Sequence, residues 1–226
     1  MDKEIFKQIE DHDSIVIARH KSPDLDAYGS QFGLYYALKK HFPAKRFYVV
    51  GDTNGLNYFQ EFDTVSEQVL RNSLYFIIDT AVRQMLGDDN YLLAKKVIVI
   101  DHHQNDTDLA PDLYYKDAEA SSSSEMIARF LIKNGIEIDA TAAKPLYMGI
   151  VGDTGRFQFS SVKPDTFRIA AVLLESGINL TEIYNLLYIE PLETKRMKAE
   201  YLNSFSLTRN NVGYRKNDAA FLGKYR

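Results

Sequence analysis

A chain of 226 residues, 45% of them hydrophobic, can bury a substantial core, and its net charge of −4 argues against a bulk electrostatic grip on long nucleic acid by counterion release. The absence of cysteine removes disulfides, thiolate nucleophiles and sulfur-ligated zinc together, and suits a reducing cytosol. The first residues lack the basic-then-apolar order of a signal peptide, and no apolar run approaches the roughly 18 residues of a membrane span, so the expectation is a soluble, cytoplasmic protein.

Residues 14–19 hold Ile15, Val16, Ile17 and Ala18 in an unbroken apolar run, the pattern of a strand covered on both faces as in parallel sheets. Residues 30–41 follow with Phe32, Tyr35, Tyr36 and Leu38 near helical spacing, and 46–50 supply a short strand. The both-faces-apolar pattern returns at 74–78 and 97–100, and strand-helix-strand alternation predicts an α/β fold with a parallel sheet and flanking helices. Helices are then expected over 125–133, 140–151, 165–175 and 180–202, with Pro191 marking a boundary or kink in the last. Residues 204–208 and 212–215 flank Asn210-Asn211, a pair that favours a tight hairpin turn. Two strands are not stable alone. The expectation is therefore a catalytic domain over 1–190, then a linker helix and the first hairpin of an incomplete second domain over 191–226. The serine run 121–124 reads as a loop and N-cap for the helix beginning near Glu125.

Four groups of acids and histidines interrupt this pattern. His20, Asp24 and Asp26 leave the end of the first strand, Asp79 ends the 74–78 run, Asp101-His102-His103 ends the 97–100 run, and Asp153-Thr-Gly155 closes a helical stretch. The rim beyond the C-terminal ends of the strands is where open α/β sheets bind ligands. Taken singly, Pro23-Asp24 could form a turn, Asp26 could cap the next helix and the two histidines could be solvated loop residues. Asp153-Thr-Gly155 superficially copies the aspartic-protease triplet, but that fold is all-β and needs two copies. Together the groups form a mixed oxygen and nitrogen ligand set, which suits manganese, with magnesium, cobalt or iron as alternatives, better than a calcium cage. About six ligands exceed what one ion that also binds substrate would use, so two ions sharing a bridging carboxylate are expected. The glycine-rich dinucleotide loop, the G-x-x-x-x-G-K-[ST] phosphate loop and the G-x-S-x-G elbow are all missing. Arg156, Phe157 and Phe159 follow Asp153 closely; the arginine is a candidate phosphate ligand, and the phenylalanines read as core or as a base-binding pair.

On these residues the chain resembles the DHH phosphoesterases, a family named after the motif carried here by Asp101-His102-His103. Arg19-His-Lys-Ser-Pro-Asp-Leu-Asp-Ala-Tyr-Gly-Ser30 and Gly149-Ile-Val-Gly-Asp-Thr-Gly-Arg-Phe157 look most like the bacterial nanoRNases, bifunctional oligoribonuclease and pAp phosphatases. The resemblance implies that His20, Asp24 and Asp79 hold one Mn2+ and that Asp26, Asp79, His102 and Asp153 hold the other. It further implies that His103 faces the substrate phosphate and that Asp101 supports the metal site or its neighbours. The family's second domain carries a Gly-Gly-Gly-His type motif, and no two consecutive glycines occur here, so the resemblance covers the catalytic domain. The implied activity is two-metal hydrolysis of short oligoribonucleotides and of pAp, with Mg2+ or Co2+ as substitute ions. Long nucleic acid and membrane are not expected partners, and a homodimer is left open. The alternatives are a manganese inorganic pyrophosphatase, a cyclic-dinucleotide phosphodiesterase, or a metal-binding catalytic half that is inactive without its second domain.

Overall fold

The computed structural model describes residues 1–52 and 62–224. The chain divides into two compact units, Met1–Asn179 and Leu180–Arg226. The first begins with α1 (Asp2–Asp11), which buries Ile5 and Ile9, one helical turn apart, while its charged residues stay largely outside. Strand β1 (Ser14–Arg19) is buried at every position. Helix α2 (Leu25–His41) follows, then β2 (Arg46–Val50), the short α3 (Glu67–Leu70), β3 (Leu74–Ile78), β4 (Lys96–Asp101) and β5 (Leu113–Lys116).

Among the described residues these strands make one five-stranded sheet of order β2-β1-β3-β4-β5, parallel at every pairing. The chain moves from β1 to its neighbour β2 and returns to pair β3 on the other side of β1. The crevice beyond the C-terminal ends of β1 and β3 is thus the topological switch point, the position where such sheets bind ligands. Both faces are covered, which is why the strands read as continuous apolar runs rather than alternating ones. Val16, Ala18, Tyr75, Ile77, Val97 and Val99 pack with Leu70, Tyr91 and Leu109 in one core.

Helix α2 touches β1, β2 and β3 and also packs against α4 (Ser123–Lys133) and α5 (Ala140–Asp153). It is buried along most of its length, so it lacks the one-sided pattern of a surface helix. Glycine permits this close fit: a Cβ at Gly29 would fall 2.5 Å from the Pro145 carbonyl oxygen of α5. Helix α6 (Pro164–Glu175) packs on α5 and α4.

The parallel α/β architecture is as expected, and the bounds of β1, β2 and β3 are those read from the apolar runs. Helices α1 and α3 were not among the expected elements, and other features differ as well. Helix α2 starts at Leu25 rather than 30, because Asp24 Oδ1 accepts the amide hydrogens of Asp26 and Ala27 at 3.0 Å each and caps the helix. Helix α4 starts at Ser123, capped by the Ser122 side chain, which accepts from the Glu125 amide. Strand β5 was not expected, since its Leu-Tyr-Tyr-Lys residues are only half-buried at the sheet edge.

The second unit holds α7 (Leu180–Tyr188), α8 (Leu192–Ser204), β6 (Ser206–Leu207), β7 (Gly213–Tyr214) and α9 (Ala219–Lys224). Pro191 separates α7 from α8 as the N-cap of the latter. β6 and β7 form an antiparallel hairpin in which Asn211, at φ 58°, takes the left-handed position of the turn. Arg215 lies 3.8 Å above the centroid of the Phe221 ring.

Candidate metal centre

Every acid and histidine group singled out in the sequence reaches the switch-point crevice. His20 follows β1, Asp24 and Asp26 open α2, Asp79 follows β3, Asp101 ends β4 with His102 and His103 beyond it, and Asp153 closes α5. Among the described residues, three overlapping groups have ligand atoms within 4.8 Å of one another: His20, Asp24 and Asp79; Asp26, His102 and Asp153; and Asp79, His102 and His103.

Asp79 lies at the centre of this arrangement. Its Oδ2 is 3.4 Å from His20 Nε2 and its Oδ1 is 3.5 Å from His102 Nε2, so each carboxylate oxygen faces a different imidazole. Its backbone is left-handed at φ 65°, a conformation that Asp tolerates better than most side chains. The Asp79 amide still donates to the Ile100 carbonyl at 3.0 Å, so the sheet ladder runs to the residue that carries the carboxylate.

His102 Nε2 also lies 3.2 Å from Asp153 Oδ2 and 3.8 Å from Asp26 Oδ2, yet it is buried without a hydrogen-bond partner. An unpaired buried nitrogen ringed by three carboxylates fits a site that completes itself with a cation. His20 is prepared in the same sense: Nδ1 is 2.8 Å from the Lys21 carbonyl and must donate to it, which directs the lone pair of a neutral ring through Nε2 toward Asp79 and Asp24.

The electrostatics agree. Burial, joined by the charges of Asp79 and Asp153, pushes the fully buried Asp26 carboxyl well above its ordinary value. Burial likewise raises Asp153, against the pull of His102. Burial opposes charge on His102, but Asp153 and Asp79 outweigh it and push the imidazole up to about 11. His20 is raised by Asp79 and the Lys21 carbonyl despite burial. Asp79 is held far below the usual carboxylate range by His102 and His20, which overcome its own desolvation. Without a cation the cluster therefore retains protons, the charge-balanced state of a site built for positive ions.

Asp101 is fully buried and Oδ1 lies 2.7 Å from His103 Nδ1. This bond, more than burial opposes, raises the His103 imidazole, which stays half-exposed. Asp101 Oδ2 is buried without a partner. Arg156 sits in the exposed turn after α5, where Gly155, Arg156 and Phe157 all have positive φ, at 53°, 64° and 63°. Thr154 pins this turn: its hydroxyl accepts from the Phe157 amide at 3.0 Å and donates to Ile150 O at 2.5 Å. Phe157 stacks on Phe167 at 5.3 Å, whereas Phe159 is 58% exposed rather than core, because its ring folds over Gly155.

Sequence reasoning missed three further participants, Ser123, Ser124 and Glu125. The amides of Ser123 and Ser124, at the start of α4, donate to Asp26 Oδ2 and Oδ1 at 2.6 and 2.8 Å. The Ser123 hydroxyl donates to Asp79 Oδ1 at 2.9 Å. Buried Glu125 accepts the Ser121 and Thr166 hydroxyls at 2.6 and 2.8 Å and braces the serine turn from behind. The one signal available was serines running into an N-capping pattern.

Comparison with known proteins bears on the same residues. The profile of the DHH family, N-terminal domain, matches residues 14–150, which takes in every ligand candidate except Asp153. The chain belongs to the DHH family. Among relatives, it is 35% identical over 211 residues to the "Probable bifunctional oligoribonuclease and PAP phosphatase NrnA" of Streptococcus mutans, covering 93% of this chain and 68% of that one. It is 34% identical over 216 residues to the "Bifunctional oligoribonuclease and PAP phosphatase NrnA" of Bacillus subtilis, covering 94% and 69%. The crystal structure of an exopolyphosphatase-related protein from Bacteroides fragilis superposes with a TM-score of 0.84 at 24% identity, over 92% of this chain and 66% of that one, and shares the fold. Among the described residues no helix is long and apolar enough to cross a membrane.

Proposed function

We propose that this DHH-family chain is a two-ion phosphoesterase that hydrolyses short oligoribonucleotides, including linear dinucleotides, to mononucleotides and pAp to AMP. The observation that carries the reading is Asp79, whose two oxygens face His20 and His102 at 3.4 and 3.5 Å. His20, Asp24 and Asp79 would hold one ion; Asp26, Asp79, His102 and Asp153 would hold the other. The mixed oxygen and nitrogen set favours Mn2+, with Mg2+ or Co2+ as substitutes. The substrate class rests on the names of the relatives, with which this chain shares about a third of its residues.

Bound ions would supply Lewis acidity to the phosphoryl oxygens of an in-line displacement. The remaining work falls to side chains of this chain. Asp101 accepts from His103 Nδ1, fixes the ring and favours its protonated form, so Nε2 can hand a proton to the leaving oxygen near neutral pH. Arg156 would meet substrate phosphate. Residues 1–190 would make up the catalytic domain, and 191–226 the linker helix and first hairpin of a substrate-binding domain, acting in the cytoplasm.

The test is product release in Mn2+ from a 5'-phosphorylated dinucleotide, from pAp and from pyrophosphate in parallel, resolved by chromatography. Mononucleotides from the first and AMP from the second, both abolished by chelator, are expected. Pyrophosphate cleavage alone would replace this substrate class with inorganic pyrophosphate.

A further inference from the structure

The Ser123 residue of α4 touches carboxylates from two different elements. Its amide, with that of Ser124, holds both oxygens of Asp26 at the N-terminus of the helix, where unpaired amides and the helix dipole favour a negative charge. Its hydroxyl donates to Asp79 Oδ1. An ionised carboxylate only accepts, so the direction of that bond is fixed. Ser123 is itself fully buried, so no water competes for the contact.

A carboxylate that bridges two ions through both of its oxygens keeps its plane turned so that one oxygen points to each. The hydrogen bond reaches only Oδ1, the oxygen facing His102, while Oδ2 faces His20. Rotation of the Asp79 carboxylate carries Oδ1 away from the Ser123 hydroxyl and is opposed by that hydrogen bond. The Asp26 carboxylate has no such freedom, because backbone amides hold both its oxygens.

We propose that Ser123 is a positioning residue of the two-ion centre: its hydroxyl sets the rotation of the shared Asp79 carboxylate, and so couples the two ions. This inference rests on the two-ion reading of the site. The backbone clamp on Asp26 survives any side-chain change at 123, so removal of the hydroxyl uncouples the pair without emptying the site.

The experiment uses the full chain and Mn2+ alone. Wild type, Ser123→Ala and Ser123→Thr are stripped with chelator, checked for cooperative thermal unfolding, and titrated with Mn2+ by calorimetry, with electron paramagnetic resonance reporting exchange between the ions. Wild type is expected to bind two exchange-coupled Mn2+. In Ser123→Ala one ion is retained at near wild-type affinity, the second binds about 10- to 100-fold more weakly, and the coupling signal fades. Ser123→Thr keeps the donor and is expected to restore both. Unchanged affinities and coupling in the Ala variant would overturn the assignment, as would a folded Thr variant as weak as Ala. A wild-type chain that binds fewer than two Mn2+ would remove the two-ion reading itself, an outcome separate from a normal wild type with a silent Ala variant.

Discussion

Replacement of Gly29 by alanine tests the packing that brings the two ligand-bearing helices together. The new methyl would lie 2.5 Å from the Pro145 carbonyl oxygen and 2.9 Å from Gly149 Cα and N, all backbone atoms of α5. No flexible side chain can turn away, so α2 and α5 must separate. Overpacking of this kind costs about 1–3 kcal/mol, and two facing backbones put it at the upper end. The better helix propensity of alanine returns about 1 kcal/mol. The net loss is on the order of 1–2 kcal/mol, or roughly 2–8 °C in melting temperature for a unit of this size. Because α2 carries Asp26 and α5 carries Asp153, the same separation is expected to weaken Mn2+ binding. The assay pairs thermal unfolding in chelator with calorimetric titration of Mn2+. Gly223→Ala, whose Cβ meets nothing within 4 Å, is the control and should leave Mn2+ affinity unchanged without lowering the melting temperature. A Gly29→Ala protein as stable as wild type, with unaltered Mn2+ affinity, would refute the close-approach argument.

Asp79→Ala is expected to cost both ions, measured as bound metal after gel filtration; retained double occupancy would contradict the bridging role. Asp101→Asn should leave Mn2+ stoichiometry intact and lower the His103 titration midpoint, because the hydrogen bond to Asp101 is what raises it; an unmoved midpoint by NMR would count against that cause. His102, pushed up to about 11 from its ordinary 6.5, carries a proton at pH 7 in the ion-free site. Since the raised form is favoured below the folded value, the ion must displace that proton. Calorimetry in buffers of different ionisation enthalpy should therefore register proton release on Mn2+ binding, with affinity rising between pH 6 and 8. Buffer-independent heats would disprove it.

The ligand candidates were legible because a carboxylate or imidazole at the end of a doubly buried strand has few other reasons to be there. His20, Asp79 and Asp101 each follow such a run, and parallel pairing alone brings the strand ends to one rim. The start of α2 was not legible from periodicity: Asp26 and Gly29 break the apolar pattern yet are buried, since the helix is covered on several sides. The role of Ser123 was hidden for a different reason. A serine amide bears no chemical mark of what it will bind, and its two acceptors lie 97 and 44 residues away in sequence. Likewise, the need for glycine at 29 arises only when α5 is laid against α2.

The left-handed backbone at Asp79 narrows the mutational routes open to this protein. Asparagine and glycine would accept φ 65° but surrender the charge, whereas glutamate would keep the charge but fit that backbone poorly and extend the carboxylate past both imidazoles. Aspartate alone meets both demands. No single substitution at 79 can therefore exchange the shared ligand for another anionic one, and a change of metal preference would have to be reached through the residues around it.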